Sequence, residues 1–121
     1  MTLQWNTDAP AGSQWQRQFT LTNADGSLID LTGLAWEFVV RPSVTDITSP
    51  ALISVTTTPG AQGSITVDLP TSTLTVTLTP AATAVLKKGF YPLALWSAPT
   101  DASTRTAWVT GMFNSFPAAL P

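Results

Sequence analysis

Apolar and polar positions alternate with period two along most of the chain. In Trp15-Gln16-Arg17-Gln18-Phe19-Thr20-Leu21-Thr22, one face carries Trp15, Phe19 and Leu21, and the other carries Gln16, Gln18, Thr20 and Thr22. Ile65, Val67 and Leu69 alternate with Thr66 and Asp68, and Leu74, Val76 and Leu78 alternate with Thr75, Thr77 and Thr79. This β-branched alternation is the pattern of strands wetted on one face. It predicts strands over 15–22, 34–41, 51–57, 64–69, 74–78, 91–97 and 106–113, with a further short strand near 3–6. Pro42, Pro50, Pro59, Pro70, Pro80, Pro92 and Pro99 recur roughly every ten residues, the turn spacing of a sandwich or barrel. Asn23-Ala24-Asp25-Gly26 and Pro59-Gly60-Ala61-Gln62-Gly63 are turn sequences, in which Gly supplies positive φ and Asn or Asp bonds back to its own backbone.

One segment departs from period two. Thr79 to Gly89 reads as a short helix, with Thr79 as N-cap, Pro80 at the first helical position, Lys87 and Lys88 near its negative end and Gly89 as a left-handed stop. It is expected to cross between two sheets, with Val85 and Leu86 pinned to the core. Tyr91 follows in Gly89-Phe90-Tyr91-Pro92-Leu93, where an immunoglobulin-like domain places its corner tyrosine, two residues before a buried position held here by Leu93. Trp36 takes the place of the buried tryptophan of the third strand. Phe19, Leu21, Trp36, Leu93 and Leu95 can fill the layer between two sheets without a disulfide. The expected fold is all-β: an immunoglobulin-like antiparallel sandwich of about seven to eight strands with one short crossover helix. Its body spans 13–113, between an N-terminal arm (1–12) and a C-terminal arm (114–121).

Composition narrows the chemistry. The 121 residues contain no Cys and no His, which excludes disulfides, thiolate nucleophiles, His-based relays and most zinc sites. Five Lys and Arg against seven Asp and Glu leave no basic footprint for nucleic acid. No apolar run approaches the roughly 20 residues that span a bilayer, and the first residues show no secretory leader. Neither nucleic acid nor membrane is therefore expected as a partner, and no cofactor or metal. A non-enzymatic protein is expected.

Trp15…Phe19-Thr20-Leu21, Asp25-Gly26, Ile29-Asp30-Leu31-Thr32-Gly33, Val40-Arg41, Gly63-Ser64-Ile65, Leu78-Thr79, Ala84-Val85-Leu86 and Gly89-Phe90-Tyr91 occur in this order. Over roughly residues 13–113, this set resembles the β-sandwich domain at the N-terminus of tailed-phage baseplate upper proteins and tail-fibre proteins. The resemblance implies a virion component, made in the host cytoplasm, whose partners are other virion proteins and copies of itself. Family members usually continue into a coiled coil or fibre shaft, whereas this sequence ends at Pro121. That favours a small adaptor, fibre base or decoration subunit, with a capsid decoration or head-fibre protein as the near alternative.

Candidate assembly contacts are Trp5, Arg17, Glu37, Arg41, Phe116 and Leu120. Trp5, Phe116 and Leu120 are apolar residues in the non-periodic arms, able to lie across a neighbour. Removing 1–10 is expected to leave a folded sandwich that no longer joins its partner. Glu37 and Arg41 share the face of their strand opposite Trp36 and Phe38. Arg17 falls on the same face as Trp15 and Phe19, so it is expected at the open end of the sandwich with its stem packed and its head in water. Five tryptophans raise a rival function, a carbohydrate-binding module stacking a host-surface glycan on Trp96 or Trp108. Asp25 and Asp30 lack the ligand pattern of a calcium loop and read as turn formers. Lys87 or Lys88 with Glu37 could form a Lys–Asn isopeptide bond, but the lysines read better as a solvated helix end and Glu37 as solvent-facing.

Overall fold

A computed structural model describes residues 3–43, 50–101 and 103–117, without the side chain of Leu3. The strands are β1 (Leu3–Gln4), β2 (Thr7–Pro10), β3 (Trp15–Thr20), β4 (Trp36–Val40), β5 (Ile53–Thr56), β6 (Gly63–Asp68), β7 (Thr73–Leu78), β8 (Gly89–Ser97) and β9 (Thr106–Phe116). One helical turn, α1 (Pro80–Ala84), lies between β7 and β8. The larger sheet has the order β1-β9-β8-β4-β5, with β2 also on β9, and the smaller has β3-β7-β6. The chain is an all-β sandwich, and its strands are distributed over the two layers in the immunoglobulin manner.

Period two explains the layering. In β7, Leu74, Val76 and Leu78 are buried while Thr73, Thr75 and Thr77 lie on the wetter face. Phe38 and Val40 of β4 pair with Leu95 and Leu93 of β8, and all four face the interior. Trp36 is 1% exposed, and Leu93, opposite Val40 at the other end of β4, is 3% exposed. The Tyr91 hydroxyl donates to the Lys87 carbonyl at 2.9 Å, which makes the corner that Gly-x-Tyr suggested. In the 23–26 turn, Gly26 has φ 87° and its N–H donates to the Asn23 carbonyl at 3.0 Å.

The helix departs from expectation. The helix is one turn long and does not reach Gly89, which begins β8 instead. Thr79 does cap it, accepting from the Ala82 amide at 3.3 Å. Leu86 is buried, but Val85 is 50% exposed and pins nothing. Thr83 makes the anchor that was not foreseen. Its hydroxyl donates to the Ser13 carbonyl at 2.7 Å and accepts from the Gly12 amide at 3.1 Å, tying α1 to the turn before β3.

The N-terminal arm is not an arm over residues 3–10. β1 and β2 run parallel to β9, with Leu3 opposite Val109 and Pro10 opposite Phe116. Ala9 is buried, and the Trp5 ring packs edge-on against Phe19 at 5.0 Å and Trp15 at 6.1 Å. Between the two strands the chain crosses over Gly111. A Cβ at Gly111 would lie 1.6 Å from the Trp5 carbonyl oxygen, so only glycine admits the crossing. The Asn6 side-chain oxygen accepts from the Met112 amide at 3.0 Å and bridges the break in the ladder. The C-terminal arm likewise begins later than expected, since β9 continues to Phe116.

Candidate interaction surface

The outer faces of the two sheets differ in character. The smaller sheet presents Gln16, Gln18 and Thr20 of β3, Thr75 and Thr77 of β7, and Ser64 and Thr66 of β6. The larger sheet turns Val39 of β4, Pro92, Ala94 and Trp96 of β8, and Met112 of β9 into a groove of about 440 Å³. Phe90 and Phe116 alternate onto the same outer face further along, 69% and 37% exposed. Within the groove Val39 is buried and Pro92, Ala94, Trp96 and Met112 are half-buried, so they cluster without standing fully in solvent.

Arg41 lines that groove and Glu37 lies just outside it. Register places Glu37 beside Trp96 and Val39 beside Ala94, and the Arg41 amide donates to the Pro92 carbonyl at 3.0 Å. The Glu37 carboxylate accepts from the Ser54 hydroxyl at 2.7 Å. Beyond Trp96 a smaller recess of about 170 Å³ lies between Glu37, Pro99 and Arg105. The Arg105 guanidinium carbon is 5.6 Å from the Trp96 ring centre, an arrangement that holds the indole as a wall between the two hollows.

The two tryptophans left open by periodicity separate here. Trp96 faces outward. A β-bulge at Leu95/Trp96 pairs Leu95 with Val109 and Trp96 with Ala107, leaving Trp108 as the extra residue. Trp108 turns toward the core, where its Nε1 donates to the Ser97 hydroxyl at 2.9 Å and its ring lies 6.4 Å from that of Trp36. It offers no platform for a sugar.

The remaining candidates lie elsewhere. Trp5 is partly buried in the aromatic cluster and borders a groove of about 520 Å³ with Asp8, Arg17, Phe90 and Asn114. Arg17 is exposed, but in mid-strand on the edge strand β3 and not at the open end of the sandwich, and no bulge interrupts β3 beside it. Its guanidinium sits 5.4 Å from the Trp15 ring centre and donates to the Gln16 carbonyl at 2.8 Å. Leu21 at the end of β3 donates toward the β7 side, to the Ser72 carbonyl at 2.9 Å. By alternation Gln16 and Gln18 therefore point their backbone groups to the open edge. Arg17 occupies one of these, and a charge on the inward face of an edge strand deters addition of a foreign strand. Leu120 lies outside the described residues. The candidate contacts thus do not form one site: Glu37 and Arg41 share the apolar face, while Trp5 and Arg17 sit at the open side.

The acidic side chains serve their own turns. Asp25 accepts from the Ser27 hydroxyl at 2.6 Å and amide at 2.9 Å, and Asp101 accepts from the Ser103 hydroxyl at 2.7 Å and amide at 3.0 Å. Asp30 accepts from the Thr32 amide at 2.9 Å. These bonds, the hydroxyl of each partner first, hold the three carboxyls below their ordinary range. Among the described residues no group of three or more His, Cys, Asp or Glu side chains converges. Lys87 and Lys88 are exposed after α1, while Glu37 is on the outer face of the larger sheet.

No protein-family model matches the chain, and no curated protein matches it significantly.

Proposed function

We propose that the chain is a non-enzymatic structural subunit of a tailed-phage particle, at the tail, baseplate or fibre attachment, and works by docking to neighbouring subunits. The observation that carries this is the outer face of β4, β8 and β9, where Val39, Pro92, Ala94, Trp96 and Met112 line a groove. Burying such a strip stabilises a contact by about 25 cal/mol per Å² of apolar area removed from water. The low charge of the chain keeps the desolvation cost of the contact small. The phage assignment draws on the ordered resemblance to baseplate upper and tail-fibre proteins. A capsid decoration or head-fibre subunit would use the same contacts.

The test is mass spectrometry of particles purified from a host that carries the gene. The chain is expected in fixed ratio to the other particle proteins. Its absence from intact particles would refute the proposal. The carbohydrate-binding alternative now rests on Trp96, the tryptophan on the outer face. It requires a saturable fluorescence change with host polysaccharide that Trp96→Ala abolishes.

A further inference from the structure

We infer that the groove between Phe90 and Arg17 is a binding site for a neutral sugar of one or two rings, separate from the docking groove at Ala94. A row of side chains across three strands builds it. β2 and β8 lie on either side of β9, and register sets Asp8 opposite Asn114 and Asn114 opposite Phe90. Asp8 lies between Thr7, whose hydroxyl accepts from the Trp15 Nε1 at 3.2 Å, and buried Ala9, so it points away from the core. Asn114 lies between buried Phe113 and buried Ser115 and points the same way. Phe90 is 69% exposed, which leaves a face of its ring open. At about 4.8 Å per strand, the row runs about 10 Å from carboxylate to phenyl ring, the length of two pyranose rings.

What these side chains leave unused selects the ligand. Among the described residues, the Asp8 carboxylate and the Asn114 carboxamide make no hydrogen bond or ion pair, and both line the groove of about 520 Å³. Asn6 commits its oxygen to the Met112 amide and keeps its NH2 group for the same groove. Arg17 reaches it from β3 with one nitrogen on the Gln16 carbonyl and further N–H groups to offer. Asp8 and Arg17 are the charged groups among its described lining residues, and their charges cancel. An anion would meet Asp8 and a cation would meet Arg17, so the groove favours an uncharged ligand. A carboxylate, two carboxamides and a guanidinium are planar groups that can bond to two neighbouring hydroxyls at once. A pyranose supplies adjacent hydroxyls along its edge and C–H groups across its face, and the Phe90 ring takes that face. An extended peptide repeats every 6.6 Å or so on one face, out of step with the row.

The volume falls within the range of small-molecule sites, about 300–1,000 Å³. The groove is open to solvent, so one copy is expected to bind with a Kd on the order of 1 mM. Trp96 takes no part, since it lies six residues further along β8, about 20 Å from Phe90. Met112 lines both grooves.

Two-dimensional NMR of the full chain tests this, by titration to about 20 mM with each of eight neutral sugars. These are the methyl glycosides of glucose, galactose, mannose and N-acetylglucosamine, and maltose, cellobiose, lactose and chitobiose. At least one is expected to give saturable shifts centred on the amides of Asp8, Phe90 and Asn114. Phe90→Ala and Asp8→Ala, both at exposed positions, are each expected to weaken that binding about tenfold or more. Phe90→Tyr keeps the ring face and retains the binding, and Trp96→Ala leaves it unchanged. Circular dichroism confirms that each variant is folded, and if Asp8→Ala does not fold, Phe90→Ala against Phe90→Tyr carries the same test. No saturation by any of these sugars overturns the site, as does binding that Phe90→Ala does not weaken or that Trp96→Ala abolishes. Stronger shifts in the groove with glucuronic acid or tetra-alanine than with every neutral sugar also overturn it. Each of these failures leaves the docking role standing, because Phe90 and Ala94 lie in different grooves.

Discussion

Trp36 is the most consequential single residue of the interior. Its ring fills the space between the sheets at 1% exposure, yet its Nε1 has no hydrogen-bond partner among the described residues. An unsatisfied buried donor costs about 1–3 kcal/mol, and losing a large aromatic to alanine costs about 3–5 kcal/mol. Trp36→Phe removes the donor together with part of the ring, so the two effects oppose each other. A loss of about 1 kcal/mol or less is expected for Trp36→Phe in urea unfolding, against several for Trp36→Ala. Equal losses for the two variants would show that the indole N–H is satisfied in solution. Trp36, Leu93 and Tyr91 were legible because each sits at a fixed offset in a strand or corner. Trp108 was not, because the bulge at Leu95/Trp96 reverses the face that strict alternation would assign to it.

The N-terminal strands show where local pattern stops being informative. β2 reads Thr-Asp-Ala-Pro, with residues that disfavour strands, and nothing local marks β1 and β2 as the parallel partners of β9, over a hundred residues away. Their pairing depends on Gly111, whose missing Cβ gives room for the Trp5 carbonyl. Gly111→Ala is expected to displace this segment, with a red shift in tryptophan emission and a stability loss of about 1–3 kcal/mol. An unchanged emission spectrum would mean that the segment does not cross there in solution. Deleting residues 1–10 exposes Phe19 and Trp15 as well as the β9 edge. The loss is expected to be about 3 kcal/mol, which lowers the melting temperature by roughly 10 °C or more. A truncated chain that melts with the full one would return these residues to the role of a free arm. The helical turn has the same lesson in milder form. Thr79 and Pro80 announced its start, but its end was set by Thr83 bonding to the distant Ser13, which no spacing rule reports.

At the scale of the molecule, acid stability follows from the carboxylates that bond within turns. Asp25, Asp30 and Asp101 have lowered pKa values in the fold, chiefly through bonds from the Ser27, Thr32 and Ser103 hydroxyls. Their contribution is fully present above the ordinary carboxylate value of 3.8 and is lost as pH falls below it through the folded values. With no His in the chain, stability is expected to be flat from about pH 5 to 8 and to decline below about pH 4. Thermal melts across that range check both limbs, and a transition near neutral pH would contradict the assignment. Fold class could be argued from periodicity. The apolar outer face could not, because periodicity separates two faces of a strand without saying that Val39, Ala94, Trp96 and Met112 from three strands lie side by side.

The most direct test of the docking role is complementation of a gene deletion by Ala94→Arg, which places a charge on that face and leaves the interior untouched. With the variant as folded as the parent chain, particles are expected to contain the parent and to lack the variant. Incorporation of Ala94→Arg at the parental level would contradict the account.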